Sequence, residues 1–260
     1  MNLNQFLETL SAVDQKEHMD TIPSLDCDNP EFYWVFRNVD FEEWSSATSS
    51  RVLWLSGPSQ CNINQVSSYI VGREKNKALE ANRFVLYFFC STRLRRSIVA
   101  VFVHTLLKQI VCCSPADERI LIVQNFLHSL LEEAFKNETS PNWKQRGFKE
   151  EDSPERSIQN ILNAPANELF TALVAVLGDE QERCLSIIVD GLDKAQDQKG
   201  EFTKGIRKFV DNLHKPASEV KILLTSGPLG EIKDLFDGIP SIEHDMERNG
   251  SSASHEPRLN

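Results

Sequence analysis

The sequence predicts an α/β domain in which a mainly parallel sheet is covered by helices on both faces, and three observations carry that prediction. Residues 51–56, 84–90, 185–189 and 220–226 are almost unbroken runs of apolar, often β-branched residues, the pattern of strands buried on both faces. Segments with apolar residues at helical spacing alternate with them, so the strands are joined by crossovers and run parallel. The run at 185–189 ends in Asp190, which places an acid at the carboxyl end of a strand, the edge where open α/β sheets bind ligands.

Taken in order, Leu3, Phe6, Leu7, Leu10 and Val13 have the spacing of a short amphipathic helix, followed by a polar connection with Pro23 and Pro30. The aromatic-dense residues 32–38, with Phe41 and Trp44, fasten this N-terminal segment to a core. The strand at 51–56 breaks at Gly57, and residues 66–71 are the apolar part of a helix. After the strand at 84–90, residues 97–111 form a helix apolar nearly all round, which must be covered on most sides. In the next helix, 117–135, Ile120, Val123, Leu127, Leu130 and Leu131 mark a stripe. Residues 137–154 turn polar and charged, as a surface insertion does. Helices follow at 168–177 and at 202–213, where Phe202, Ile206, Phe209, Val210 and Leu213 share one face. A short helix near 231–236 and a strand near 239–242 follow the strand at 220–226. This divides the chain into 1–29 (helix and connection), 30–245 (one α/β domain) and a disordered tail at 246–260.

With 260 residues, 40% of them hydrophobic and 25% charged, the chain has the make-up of a soluble globular protein with a full core. A net charge of -10 argues against a nucleic-acid partner held by phosphate neutralisation; Arg93, Arg95 and Arg96 form the densest basic patch. The six cysteines (Cys27, Cys61, Cys90, Cys112, Cys113, Cys184) include no C-x-x-C pair, and several lie in apolar runs as buried free thiols do. They point to a reducing, cytoplasmic compartment. No secretory signal is visible, the longest apolar stretch (98–107) is too short to span a bilayer, and the sequons at Asn137 and Asn249 read as chance matches.

The strand, loop and helix over residues 51–71 have the order of a phosphate-binding loop. With 32–38, 50–57, 87–90 and its following Arg95-Arg96-Ser97, 188–193 and 221–226 in order, residues 30 to about 240 resemble the NACHT-type domain of fungal signal-transduction NTPases, often labelled nephrocystin-3-like N-terminal domain. The resemblance implies a three-layer P-loop NTPase-like fold and a nucleotide-driven switch that oligomerises.

The chain departs from that family where chemistry is done. In the eight positions Gly57, Pro58, Ser59, Gln60, Cys61, Asn62, Ile63 and Asn64, set against the form G-x-x-x-x-G-K-[ST], only the first glycine survives. Asn62 stands for the second glycine, Ile63 for the lysine that bonds the β and γ phosphates, and Asn64 for the hydroxyl that binds Mg²⁺. One charge-assisted hydrogen bond contributes roughly 1.5–3 kcal/mol, so loss of the lysine weakens phosphate binding ten-fold or more. Arg51, Arg73 and Lys75 are the cations that would have to replace it. Lys194 stands where the family usually carries a glutamate that activates water, and Gly227 where it carries a sensor arginine.

Asp190 and Asp193 remain, either as weak Mg²⁺ ligands or as caps of the strand-end backbone. His104, inside an apolar helix, reads as a core histidine, and neither it nor His214 has a nucleophile beside it. The expectation is a degenerate, non-hydrolysing domain that needs no cofactor and works through protein partners, related NACHT proteins among them, without nucleic acid or membrane. The alternatives are a weak ATP- or GTP-binding switch using Mg²⁺, an interaction fragment that modulates full-length relatives, and a relic of a larger receptor.

Overall fold

A computed structural model describes residues 3–10, 15, 30–81, 83–92, 97–136, 162–179, 184–195, 200–213 and 219–244. The basic patch, the insertion at 137–154, the tail from 246, Val13, Cys27 and His214 lie outside the described residues, as do both sequons.

The described strands are β1 (Arg51–Ser56), β2 (Arg83–Phe89), β3 (Cys184–Asp190), β4 (Val220–Ser226) and β5 (Ser241–Glu243), and they form one five-stranded sheet in the order β2-β3-β4-β1-β5. Every pairing is parallel. Parallel strands deliver all their carboxyl ends to one edge, so Ser56, Phe89, Asp190, Ser226 and Glu243 line a common rim. Ser56 is in register with Ser226 and Glu243, and Phe89 with Asp190.

Helices cover both faces. Side chains alternate across a strand, and the core divides accordingly. Trp54, Phe88, Ile187, Val189, Ile222 and Leu224 face one layer, made of α1 (Leu3–Thr9), α5 (Ile98–Cys113), α6 (Arg119–Lys136), α7 (Ala166–Asp179), α8 (Glu201–Leu213) and α9 (Gly230–Leu235). Leu53, Leu55, Phe89, Ile188 and Leu223 face the other, made of α2 (Tyr33–Phe36), α3 (Val39–Ser46) and α4 (Ile63–Ala81). The sandwich is the three-layer α/β arrangement expected from sequence.

The aromatic segment at 32–44 is helical. Phe32, Val35, Phe41 and Trp44 are buried against the sheet, and the Trp44 indole N–H donates to the Ile222 carbonyl at 3.1 Å. In α5, every residue from Ile98 to Leu107 is buried, His104 among them; α5 is therefore the central helix of its layer. Two expectations change. The buried stripe of α6 consists of Ile122, Val123, Phe126 and Leu130, whereas Ile120 is 57% exposed, because the buried face follows the 122/126/130 row and Ile120 lies about 200° round the helix from Ile122. The burial read for several of the cysteines holds for Cys61 and Cys90, whereas Cys112 and Cys113 are exposed at the last turn of α5.

Gly205 in α8 lets the two neighbouring helices meet. A Cβ at this position would lie 2.2 Å from the Phe170 ring of α7, so the ring rests directly on the α8 backbone. At the open edge of the sheet, the Gln109 side chain accepts from the Tyr87 N–H and donates to the Tyr87 carbonyl, both at 2.9 Å, occupying part of the strand's unpaired edge.

Candidate functional site

Residues 57–64, the segment set against a phosphate-binding loop in the sequence, run from the end of β1 into the first turn of α4. Gly57 leaves the sheet with its N–H donating to the Ser226 carbonyl at 3.3 Å. A Cβ there would approach His244 Cβ to 3.2 Å and Cys61 Sγ to 3.3 Å, a tight fit that favours glycine on packing grounds. Residues Ser59–Cys61 form a 3₁₀ turn, closed by the Cys61 N–H on the Pro58 carbonyl at 3.0 Å. The Cys61 thiol lies over Gly57, and burial raises its pKa.

Asn62 follows with φ 51°, the left-handed region that a second glycine would adopt without cost. Asparagine is among the few other residues that enter it. Its carbonyl accepts from the Gln65 N–H at 2.8 Å and the Val66 N–H at 3.2 Å, which starts α4. Ile63, in the place of the phosphate-binding lysine, is 7% exposed and belongs to the apolar cluster of Phe32, Trp44, Leu55 and Val66. Here the first turn of the helix turns a hydrocarbon inward, where a phosphate loop would present an ammonium outward.

Asp190, at the end of β3, is 1% exposed. Its Oδ1 receives the Thr225 hydroxyl at 2.7 Å and lies 2.5 Å from the Ser67 hydroxyl, which sits one turn into α4. Thr225 Oγ1 in turn accepts from the Gly191 N–H at 3.0 Å. The carboxylate thus joins three elements, β3, β4 and α4, through hydroxyl donors. Asp193 Oδ1 accepts from the Gly227 N–H at 2.8 Å, and a Cβ on Gly227 would meet Asp193 Oδ2 at 3.3 Å. Asp193 thus accepts from strand-end backbone, whereas the Asp190 side chain is bonded by side-chain hydroxyls and, among the described residues, by no backbone N–H.

Beneath them the Cys90 N–H donates to the Asp190 carbonyl at 2.8 Å. Burial pushes the Cys90 thiol well above its usual range and the Asp190 and Asp193 charges push it further, against a pull from Lys194. A thiol so placed stays protonated and is no nucleophile.

Lys194 ends the 3₁₀ turn Leu192–Lys194. Its Nζ donates to Asn64 Oδ1 at 2.8 Å, so the residue in the place of the water-activating glutamate reaches the residue in the place of the Mg²⁺-binding hydroxyl. The three cations named from sequence as replacements for a phosphate-binding lysine are elsewhere. Arg51 starts β1, at the opposite end of the strand from the loop, and pairs with Glu43. Arg73 lies over the Phe41 ring at 5.9 Å, and Lys75 Nζ donates to the Tyr87 hydroxyl at 2.9 Å; both are well along α4, about 15 Å or more from its first turn at 1.5 Å per residue.

These residues do not fit a Mg²⁺-bound triphosphate. The Gly57, Cys61 and Gln65 amides are engaged by backbone carbonyls, the lysine place is apolar and buried, and Asn64 already holds an ammonium. Among the described residues no group of three or more His, Cys, Asp or Glu side chains could hold a metal, and no helix is long and apolar enough to cross a membrane.

Residues 32–125 match the family model described as Nephrocystin 3, N-terminal. The match runs from the aromatic segment through β1, the 57–64 loop, α4, β2 and α5 into α6. It supports the nephrocystin-3-like resemblance over that part of the chain. No curated protein matches the chain.

One contact of the site and one polar network at the other end of the sheet were not visible in sequence. Ser67 shows no motif, and only the crossing of α4 over β3 makes it a partner of Asp190. Lys221, one residue in a run read as a buried strand, is 3% exposed and donates to Glu74 Oε2 at 2.8 Å and to the Ser45 carbonyl at 3.2 Å, with the Trp44 ring 5.0 Å away. Lys77 binds the other Glu74 oxygen at 3.0 Å. Burial alone would raise the Glu74 pKa, but Lys221 and Lys77 outweigh it and the net shift is downward; burial lowers the Lys221 pKa against the opposing pull of Glu74. This network binds α3 and α4 to the sheet. A charged residue inside an apolar run was its one signal.

Proposed function

We propose that the chain is a degenerate NACHT-like P-loop domain that neither hydrolyses nor depends on nucleotide and that acts as a binding or regulatory module toward protein partners. The observation that carries this reading is Ile63, buried in an apolar cluster at the one position where a phosphate loop needs an exposed ammonium. The engaged loop amides and the hydroxyl-bound Asp190 are consistent with it. So is the acidic balance of the chain, which disfavours a nucleic-acid partner.

The partners are proteins, with related NACHT domains as the first class to test, and the free cysteines suit a reducing, cytoplasmic setting. A switch that still binds ATP or GTP with Mg²⁺ through its altered loop is the competing reading. The two are separated by assaying the purified chain for phosphate release and for thermal stabilisation at millimolar Mg-ATP and Mg-GTP. The proposal expects neither. Turnover lost in Asp190→Ala would establish the competing reading.

A further inference from the structure

The turn after β3 is built to hold one lysine in a fixed place. Gly191 takes φ 73° and starts the 3₁₀ turn, Leu192 is buried, and the Lys194 N–H closes the turn on the Gly191 carbonyl at 2.8 Å. The Gly191 N–H is held by Thr225, and Asp193 is held by the Gly227 N–H. The Lys194 side chain then folds back over Gly191. Its Cδ would lie 3.1 Å and its Nζ 3.5 Å from a Cβ placed on that glycine, and the ammonium ends 2.8 Å from Asn64 Oδ1.

In a phosphate-loop protein, the second helical residue after the loop and the acid at the end of this strand hold a divalent cation between them. Here the corresponding places are Asn64 and Asp190; Asp190 is held by the Ser67 and Thr225 hydroxyls, and a positive charge delivered by the chain itself stands on Asn64. We propose that the Lys194 ammonium is a built-in cation that stands on Asn64 in place of a divalent ion and ties the 57–64 loop to the turn after β3. This inference rests on reading 57–64 as a phosphate-type loop. Its consequence is a loop held in one conformation without any ligand, so that the protein presents a single state to its partner.

The test uses the full chain, Mn²⁺ as the probe ion and two readouts. In the wild type, hydrogen exchange of the 57–66 amides is slow and unaffected by Mn²⁺. Lys194→Met and Lys194→Gln are expected to speed that exchange at least ten-fold and to bind one Mn²⁺ at least ten-fold more tightly by electron paramagnetic resonance, with Mn²⁺ restoring protection. Adding Asn64→Leu abolishes the Mn²⁺ gain.

Unchanged exchange in both variants overturns the proposal, as does faster exchange that Mn²⁺ fails to restore, or a Mn²⁺ gain that survives Asn64→Leu. Loss of the fold in both variants also overturns it, because a tie between two rim loops is not something the core requires. Micromolar binding of Mg-ATP by the wild type would instead defeat the proposed function itself, whatever Lys194 does.

Discussion

Restoring the missing lysine alone, as Ile63→Lys, is expected to destabilise the protein without restoring nucleotide binding. Ile63 is 7% exposed and packs in the cluster of Phe32, Trp44, Leu55 and Val66. Burying such a side chain contributes about 1.5–3 kcal/mol. Lysine forfeits much of that, and its ammonium must either remain in an apolar cluster or pull the first turn of α4 outward. A net loss of about 3 kcal/mol follows, which for a domain of this size lowers Tm by about 6–12 °C. Phosphate affinity does not return, because the Gly57, Cys61 and Gln65 amides stay on backbone carbonyls and Lys194 stays on Asn64. Urea unfolding and calorimetric titration of the variant with Mg-ATP measure the two effects. A variant as stable as the wild type that binds Mg-ATP at micromolar concentration would refute the reasoning, since it would place the residue 63 side chain toward phosphate.

The remaining predictions concern the core and the rim. His104 is fully buried and desolvation lowers its pKa to about 4, against a smaller upward effect of its hydrogen bond with the Leu162 backbone. Between that value and the unfolded value near 6.5, the unfolded chain binds the additional proton. This part of the stability is therefore complete above about pH 6.5 and falls as pH drops toward about 4, by about 3 kcal/mol in all; comparing the pH dependence of urea unfolding with that of His104→Gln isolates it. Asp190→Ala leaves the buried Thr225 hydroxyl without its acceptor, while Ser67 keeps the Ile63 carbonyl at 2.9 Å, and costs about 1–3 kcal/mol in nucleotide-free buffer, read by the same unfolding assay. Asn62→Gly relieves a left-handed residue and is neutral or stabilising by up to about 1 kcal/mol, whereas Asn62→Ala lowers stability by about 1 kcal/mol. Gly205→Ala gains about 1 kcal/mol of helix propensity, but the 2.2 Å approach to Phe170 forces α7 and α8 apart; the net effect is a loss of about 1–2 kcal/mol in thermal unfolding.

The sheet was legible because its strands are buried on both faces. Runs such as 185–189 carry a single polar residue, Ser186, and β4 was read residue for residue as the structure has it. The position of residues 57–64 was legible too, as the connection between a strand and a helix, which the structure has between β1 and α4. The partners were not legible. Ser67 becomes a donor to Asp190 only because α4 crosses β3, and Lys221 meets Glu74 across a separation of 147 residues. Hydrophobic pattern places elements, but it does not say which polar side chains their packing brings together. The α6 stripe went astray for a related reason: Ile120 and Val123 fit one helical face, but the buried face follows the 122/126/130 row, and what packs on the helix decides that.

Isothermal titration of the wild-type chain with ATP and GTP, each with and without Mg²⁺, tests the central claim most directly. The account predicts no binding heat at millimolar nucleotide, because the loop has a buried isoleucine for its lysine and an internal ammonium on Asn64. Micromolar binding that requires Mg²⁺ and disappears in Asp190→Ala would contradict it.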